Sequence, residues 1–333
     1  MIITYKPKMR YLLLSLIALI GINASAKGDQ KVNKQWQKAI ISAIDSFPER
    51  GGYYVGRKAT PDFPKSAWRG FNEAFNMRLA DQRPNFQASK ACPSFCSMAT
   101  YAAMIQAIIL WDTNGVVSRH AWFNLKPLVG ITDGVNEQGV NQSDGMGCWG
   151  RANANGPGMA VLANDLKVGF NFTAFRGAKS EKNRDNKNEV YQSDDDWCNN
   201  PIWEQAIPGD FMKIFWDRNT SGSDCGAVIG VDANKDADQE RGHSVIFLGL
   251  TDDGNVKYWS SNGPTADPKN AGYGIAICKK TDIQRVVFTR ITNPENFDNA
   301  KKLMFNNVHK WLKALDGESH GTTAELKKYC GIK

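Results

Sequence analysis

The chain has little that would mark it as a metalloprotein, a nucleic-acid-binding protein or a membrane-spanning protein. It contains only four histidines and no C-x-x-C or H-x-x-x-H pair, so neither a zinc site nor any other metal or cofactor is expected. No stripe of Arg and Lys interleaved with aromatic residues is present, which argues against nucleic-acid binding. The N-terminal apolar run, Tyr11 to Ile22, is too short for a comfortable membrane span. No internal repeat is visible.

Residues 1–26 have the pattern of an export signal. Basic residues up to Arg10 precede the apolar run, and Ala24-Ser25-Ala26 follows it as a cleavage site. We expect cleavage after Ala26 and a mature chain that works in the periplasm or outside the cell, without stable membrane insertion. An uncleaved N-terminal anchor is the alternative. No cysteine follows the apolar core, so lipoprotein processing is not expected.

Charge and cysteine content fit an exported protein. The chain has 41 Lys+Arg and 34 Asp+Glu, and three basic residues lie in the signal, so the remainder carries a formal charge of +4. That mild charge suits a soluble protein near an anionic cell wall. All seven cysteines follow the signal, and the odd number predicts three disulfides and one free thiol. Unpaired buried cysteines without catalysis are the alternative.

Helical patterns are found in both halves of the chain. Apolar spacing predicts helices over residues 32–47 and 67–79. Cys92-Pro93-Ser94 begins the principal helix, with Ser94 as the N-cap, and this helix runs to Trp111. After Asn293-Pro294 a helix is expected to about Leu315, and a short helical tail ends at Cys330.

Strand patterns dominate from Pro208 onward. The predicted strands are residues 209–216, 243–250, 256–262, 272–277 and 285–291. The turn Asp252-Asp253-Gly254-Asn255 makes the second and third of these an antiparallel hairpin. Counting outward from that turn brings His243 opposite Ser261–Asn262.

Residues 133–160 are rich in glycine and amide side chains. This composition is typical of an ordered loop whose backbone approaches a ligand closely, and Trp149, Asn153 and Asn155 are the predicted substrate contacts. A surface loop pinned by a disulfide is the alternative.

Two polar segments lack a clear functional signal. Residues 180–200 are polar, with almost no aliphatic side chains, and are predicted to be a flexible insertion. The segment Asp232–Asp238 has alternating carboxylates, but Ala237 and His243 stand where a calcium loop needs Gly and Glu. A solvated acidic loop is the better interpretation.

The order of Cys96, His243 and Asn262 along the chain suggests nucleophilic catalysis. Cys96 lies at the start of the principal helix, where free N–H groups and the helix dipole favour a thiolate. His243 could take the thiol proton, and Asn262 could fix the tautomer of the imidazole. Cys92 is an alternative nucleophile, and Ser260 or Ser261 could replace Asn262.

Two motifs add a family resemblance. Pro208-Gly209-Asp210-Phe211-Met212, followed by Gly242-His243-Ser244-Val245, resembles the pattern of NlpC-type and CHAP-type cell-wall peptidases of the papain-like superfamily. The resemblance covers residues 92–107 and 208–274. It implies that Cys96 is the nucleophile, His243 the base and Asn262 the orienting residue. The chain departs from the family pattern at Phe95 and Met98, beside the Cys-Ser pair.

The resemblance implies a disulfide-stabilised α+β fold in which the nucleophile helix packs on an antiparallel sheet. Residues 27–292 would form the hydrolase domain, with the insertion at about 180–200, and residues 293–333 a C-terminal helical extension. The expected activity is cleavage of amide bonds in peptidoglycan stem peptides, with Gln87 as one possible oxyanion donor. General peptide hydrolysis, transpeptidation and non-catalytic cell-wall binding are the alternatives. The residues do not indicate whether a partner protein inhibits the enzyme.

Overall fold

A seven-stranded antiparallel sheet lies at the centre of the computed structural model. The structure describes residues 32–56, 59–77, 83–126, 147–152, 157–177, 190–216, 242–263, 268–303 and 323–332. Strand order in the sheet is β1-β8-β7-β6-β5-β9-β4, and β2 and β3 form a separate two-stranded sheet. The strands are β1 Arg50–Gly51, β2 Phe75–Met77, β3 Pro84–Phe86, β4 Gly169–Phe175, β5 Phe211–Trp216, β6 Gly242–Leu250, β7 Val256–Asn262, β8 Gly272–Cys278 and β9 Ile283–Ile291.

Nine α-helices accompany these strands in the described ranges. They are α1 Lys34–Ile44, α2 Ala67–Ala74, α3 Cys96–Trp111, α4 Arg119–Leu125, α5 Gly147–Ala152, α6 Met159–Leu166, α7 Asp194–Cys198, α8 Ile202–Gln205 and α9 Thr323–Cys330. The expectation of an α+β fold with an antiparallel sheet is therefore confirmed. No helix in these ranges is long and apolar enough to cross a membrane.

The helices lie on both faces of the sheet. On one face, α3 is buried almost all round and packs with α1 against Phe211, Ile246 and Trp259 of the sheet. On the other face, Trp197 of α7 and Trp203 of α8 pack with Phe288 and other apolar side chains of the sheet. A smaller cluster joins α9 to α6 and to the β5–β9 part of the sheet. The strands that carry His243 and Asn262 are thus held between two apolar layers.

Helix α2 ends earlier than its apolar spacing predicts. Phe75–Met77 is extended and pairs antiparallel with Pro84–Phe86, so the expected helix over 67–79 is wrong from Phe75 onward. Pairing with a strand distant in sequence overrides the local helical period here. After Asn293, the expected α-helix is a 3-10 helix over Pro294–Lys302, and residues 304–322 lie outside the described residues.

Part of the predicted flexible insertion is ordered. Helix α7 has Ser193 as its N-cap, and the Trp197 indole is fully buried against Trp203. The indole N–H also donates to the Lys280 carbonyl at 2.8 Å. The expectation of flexibility is wrong for α7, because a single buried tryptophan anchors this otherwise polar stretch. Residues 178–189 lie outside the described part of the chain.

Candidate active site

Helix α3 begins at Cys96, one residue later than the predicted Ser94 cap implies. Ser94 is extended and forms a parallel bridge with Tyr53, with Ser94 N–H donating to Gly52 and Tyr54 N–H donating to Ser94. Phe95 is the N-cap and makes no side-chain capping bond. The Cys96 thiol therefore lies at a helix N-terminus whose N-cap residue provides no side-chain cap, and the helix dipole favours negative charge at this end.

His243 is the second residue of β6 and lies beyond the last registered pair of the β6–β7 ladder. The last registered pair of that ladder is Ile246–Trp259. Continuing the same register places His243 across from Asn262, and the His243 Nε2 and Asn262 Oδ1 atoms are 3.2 Å apart. The structure thus brings together the two residues that the hairpin count placed side by side.

A β-bulge decides which residue faces the imidazole. Near the turn the register pairs Leu250 with Val256, but it shifts by one residue between Phe247 and Gly249. Without this shift, His243 would face Gly263 rather than Asn262. Gly249 has φ +117°, a conformation that L side chains rarely adopt, so the glycine permits the bulge.

The Asn262 amide is held in one orientation. Its Nδ2 donates to the Gly274 carbonyl of the neighbouring strand at 3.0 Å. Because the nitrogen is used in this way, the amide oxygen faces the His243 ring. An N–H at Nε2 then donates to Asn262 Oδ1, and Nδ1 is the ring nitrogen available to a thiol.

The His243 ring is also held by aromatic neighbours. The Trp216 ring is stacked on it with centroids 6.3 Å apart, and the Tyr258 ring meets it edge-on at 5.7 Å. The side chain is 9% exposed. The Trp216 and Tyr258 rings restrict the rotation of the imidazole, and neither ring carries a charge.

Cys96 and His243 are in hydrogen-bond contact, and the thiol is acidic. Burial raises the pKa of Cys96, but the hydrogen bond from His243, the charges of His243 and Lys213, and the Ser244 backbone N–H lower it to about 6. A thiol with this pKa is largely ionised at neutral pH, which is the form that acts as a nucleophile.

The alternative nucleophile, Cys92, has the opposite character. Burial raises the pKa of its thiol to about 11, although the Lys65 charge acts in the other direction. Of the two cysteines before α3, the structure therefore favours Cys96 as the reactive one.

Two residues of the site were not singled out from the sequence. The Tyr53 hydroxyl is in hydrogen-bond contact with the Cys96 thiol, and burial together with the Cys96 charge raises the pKa of Tyr53, so it stays a protonated donor. Nothing local in the sequence marks Tyr53. The sequence does mark Lys213, because it is the charged residue within the otherwise apolar strand Phe211–Trp216.

The other predicted polar candidates lie elsewhere. Ser260 donates its hydroxyl to the Ser244 carbonyl at 2.7 Å, and the Ser261 hydroxyl is buried without a partner. Neither replaces Asn262 beside the imidazole. Gln87 is exposed before a short 3-10 turn, and no hydrogen bond links its side chain to Cys96 within the described residues.

Of the three predicted substrate contacts, the structure describes only Trp149. Trp149 is 2% exposed, and its ring packs edge-on against Tyr101 and near Phe95 in the core. The prediction for Trp149 is wrong because the glycine-rich segment forms helix α5 there and turns the indole inward. Asn153, Asn155 and the acidic segment 232–238 lie outside the described residues. Elsewhere in the described chain, no cluster of His, Cys, Asp and Glu could hold a metal ion.

A cavity of about 810 Å³ lies beside the orienting residue. It is bounded by the end of α1 and the following turn, residues 44–50, and by the ends of β7 and β8. Asn262 and Gly263 line the cavity, Asp45 and Glu49 contribute carboxylates, and Arg50 contributes a guanidinium group. The cavity is large enough for several residues of an extended substrate.

Among the described residues, the cysteines other than Cys96 add no second reactive site. Cys92, Cys148, Cys198 and Cys330 are thiols in the structure, Cys278 is buried in the core, and Cys225 lies outside the described residues. Burial raises the pKa of Cys148 to about 12 and that of Cys330 well above the ordinary value. Such thiols stay protonated and unreactive.

Comparison of the chain with protein-family models, with curated proteins and with solved structures finds no match.

Proposed function

We propose that this protein is a cysteine hydrolase in which Cys96 is the nucleophile, His243 the base and Asn262 the orienting residue. The observation that carries the proposal is one chain of contacts. An acidic thiol at a bare helix N-terminus meets an imidazole whose other nitrogen faces an amide oxygen at 3.2 Å. This is the arrangement expected of a papain-like enzyme, and it supports the resemblance to NlpC-type and CHAP-type peptidases.

The contacts support a two-step reaction. The Cys96 thiolate attacks the carbonyl carbon of an amide, and a C–S bond forms while the carbonyl oxygen takes the negative charge. The Cys96 N–H and the Tyr53 hydroxyl are the donors proposed for that oxygen. His243 gives its proton to the leaving amine as the C–N bond breaks, which leaves a thioester.

Water then completes the cycle. His243, now neutral, takes a proton from water as the water oxygen attacks the thioester carbonyl. The C–S bond breaks, the product leaves as a carboxylic acid, and the thiolate–imidazolium pair is restored. Asn262 keeps the ring in place throughout, because its amide is fixed by the Gly274 carbonyl.

The proposed substrate is an amide bond in a peptidoglycan stem peptide. The export signal predicted in residues 1–26 and the family resemblance support this choice, and so does the cavity beside Asn262. Asp45, Glu49 and Arg50 in that cavity suit a peptide that carries both a free amine and a free carboxylate. Periplasmic or extracellular location stays a prediction tied to export. The structure does not show the disulfides predicted from the sequence among the described cysteines.

Mass spectrometry of muropeptides tests the proposal. Purified peptidoglycan is incubated with the wild-type protein and with Cys96→Ala, and Cys92→Ala serves as the matched control. We expect the wild type and Cys92→Ala to give pairs of products whose masses together equal the substrate plus one water, and Cys96→Ala to give none.

Other results of the same experiment would redirect the proposal. Products joined by a new amide bond, without addition of water, would indicate a transpeptidase. Unchanged muropeptides but cleavage of unrelated peptides would indicate a general peptide hydrolase. If neither substrate changes and Cys96 reacts slowly with an alkylating reagent, the chain is a cell-wall-binding module on a papain-like scaffold.

A further inference from the structure

Lys213 is a buried charged residue on a strand that is otherwise apolar. It lies in β5, where all six residues are buried, and the lysine itself is 7% exposed. Charged side chains are rarely buried to this extent unless an opposite charge compensates them. Burial lowers the pKa of Lys213, and the negative charge of Cys96 acts in the opposite direction, so an anionic Cys96 favours the charged form of the lysine.

The register of the sheet places Lys213 beside the nucleophile. Lys213 pairs with Ser244 in β6, and the Ser244 N–H is a donor to the Cys96 thiol. Thr100, one turn into α3, lines the same small cavity as Lys213 and Ser244, and its hydroxyl donates to the Cys96 carbonyl. Lys213 thus lies between the first turn of α3 and the start of β6.

The tip of the Lys213 side chain lies beside Gly242, the residue before His243. A Cβ built on Gly242 would come within 2.4 Å of Lys213 Cε and 2.9 Å of Lys213 Nζ. The absence of a side chain at residue 242 is what leaves space for the ammonium group there.

Lys213 has no carboxylate partner in the described part of the chain. Its ammonium group makes no salt bridge or hydrogen bond there. The centroid of the Phe215 ring lies 5.9 Å from Lys213 Nζ. The cavity shared with Thr100 and Ser244 has a volume of about 10 Å³, too small for a substrate carboxylate. Among the described residues, the negative charge that acts on Lys213 is that of the Cys96 thiolate.

We propose that Lys213 is a positioning residue whose charge keeps the Cys96 sulfur in its thiolate form, so that the resting nucleophile is an anion between two cations, His243 and Lys213. This inference extends the proposed cysteine chemistry, but it concerns the thiol itself and does not depend on which amide is cleaved. The titratable groups that the described chain presents to Cys96 are Tyr53, His243 and Lys213. Of these, Tyr53 is a neutral donor.

Replacing Lys213 with methionine tests the inference. Lys213→Met removes the charge but keeps most of the volume, and the rate of Cys96 alkylation by iodoacetamide is followed against pH by peptide mapping. We expect the midpoint of the rate curve to rise by about one pH unit or more, the usual effect of losing a nearby opposite charge. Lys257→Met, on β7 of the same sheet, is the matched control and should leave the midpoint unchanged.

Thermal unfolding of the same variants separates this role from a structural one. Removal of the Lys213 charge strands no buried anion, because the Cys96 thiolate can take up a proton and become a neutral thiol. We therefore expect Lys213→Met to unfold at the wild-type temperature or above it. A lower unfolding temperature with an unchanged alkylation midpoint would overturn the inference and make Lys213 a structural residue.

Gly242→Ala provides an independent variant that keeps the lysine. The added Cβ would displace the ammonium group, so we expect a smaller upward shift of the Cys96 midpoint. If Lys213→Met does not fold, an unchanged midpoint in Gly242→Ala is enough to refute the inference. Because alkylation requires no substrate, a shifted midpoint in a protein that cleaves no peptide would refute the proposed function and leave the inference standing.

Discussion

Cys92 and Cys96 lie one helical turn apart in sequence and have opposite chemistry. The Cys92 sulfur packs against the Gly51 backbone, so closely that a Cβ on Gly51 would lie 2.5 Å from it, and burial raises the pKa of Cys92 to about 11. Cys96 is also partly buried, yet its pKa falls to about 6. Burial acts in the same direction on both thiols. What differs is the set of donors and charges around each sulfur.

Those donors come from distant parts of the chain. His243 and Ser244 lie on β6, and Lys213 lies on β5, more than a hundred residues after the helix that carries Cys96. Position before an apolar helix is therefore not sufficient for reactivity. The reactivity of a thiol therefore depends on the donors and charges that the sheet places around its sulfur.

Replacing each thiol in turn should give the largest difference in turnover between Cys92 and Cys96. Cys96→Ala should lower turnover by about 10⁴-fold or more, because the covalent step is lost. Cys92→Ala should retain near wild-type turnover, measured as the rate of product formation from muropeptides under identical conditions. Loss of activity in Cys92→Ala with retention in Cys96→Ala would exchange the two roles.

Removing the base tests why the two thiols differ. His243→Ala should lower turnover by about 10²–10⁴-fold, and it should raise the pH at which Cys96 alkylates because a hydrogen-bond donor and a charge are lost. Far-UV circular dichroism should be unchanged. If His243→Ala keeps near wild-type turnover, the imidazole is structural and the triad is wrong.

The pH dependence of alkylation compares the two thiols within one molecule. At pH 7, Cys96 should react about 10²-fold faster than Cys92, since the larger thiolate fraction outweighs the lower intrinsic nucleophilicity of a more acidic thiol. The Cys96 rate should fall as the pH drops through about 6, while Cys92 should gain reactivity only towards pH 11. Equal alkylation rates of Cys92 and Cys96 at pH 7, measured by peptide mapping, would contradict the predicted difference between the two thiols.

The lowered pKa of Cys96 also makes the stability of the folded protein depend on pH. The folded pKa of Cys96 lies below the ordinary thiol value of 9.0, so the unfolded chain binds more protons between the two values. The contribution of the thiolate to stability is complete above pH 9 and is lost as the pH falls through about 6. Cys96→Ala should remove this part of the pH dependence in denaturant unfolding.

The smallest expected effect comes from the orienting residue. Asn262→Ala removes the hydrogen bond to His243 Nε2 but leaves Cys96 and the imidazole in contact. We expect about a tenfold loss in kcat/KM, the equivalent of one neutral hydrogen bond. Asn255→Ala, in the hairpin turn, is a control that should retain full activity. A loss as large as that of His243→Ala would mean that Asn262 does more than orient the ring.

Local signals in the sequence predicted much of the sheet that carries the site. The strands over 243–250 and 256–262 and the turn between them agree with β6 and β7 to within one residue. Alternation of side chains and turn composition act over a few residues, so they can be read without knowing the rest of the fold. Strand β4 was missed, because its pairing with β9 is set by residues more than a hundred positions away.

The start of α3 shows the limit of local signals. Ser94 has the side chain of an N-cap, but its backbone is bonded to the strand-like segment at Gly52–Tyr54. The helix therefore begins at Cys96, which leaves the thiol at the uncapped end. The bulge at Gly249 has a similar effect on β6, because a shift of one residue decides that Asn262 and not Gly263 faces His243.

Sequence patterns are sufficient to predict the α+β composition and the hairpin. They also predict a cysteine on a helix, followed along the chain by a histidine and an asparagine on strands. Tertiary structure alone decided that Cys96 meets His243, that Tyr53 and Lys213 join them, and that Trp149 is buried in the core. The physical reason is the range of the forces involved. Helix and turn preferences act between neighbours in sequence, whereas a thiol's pKa depends on charges and donors within a few ångströms, and only the folded chain brings those together.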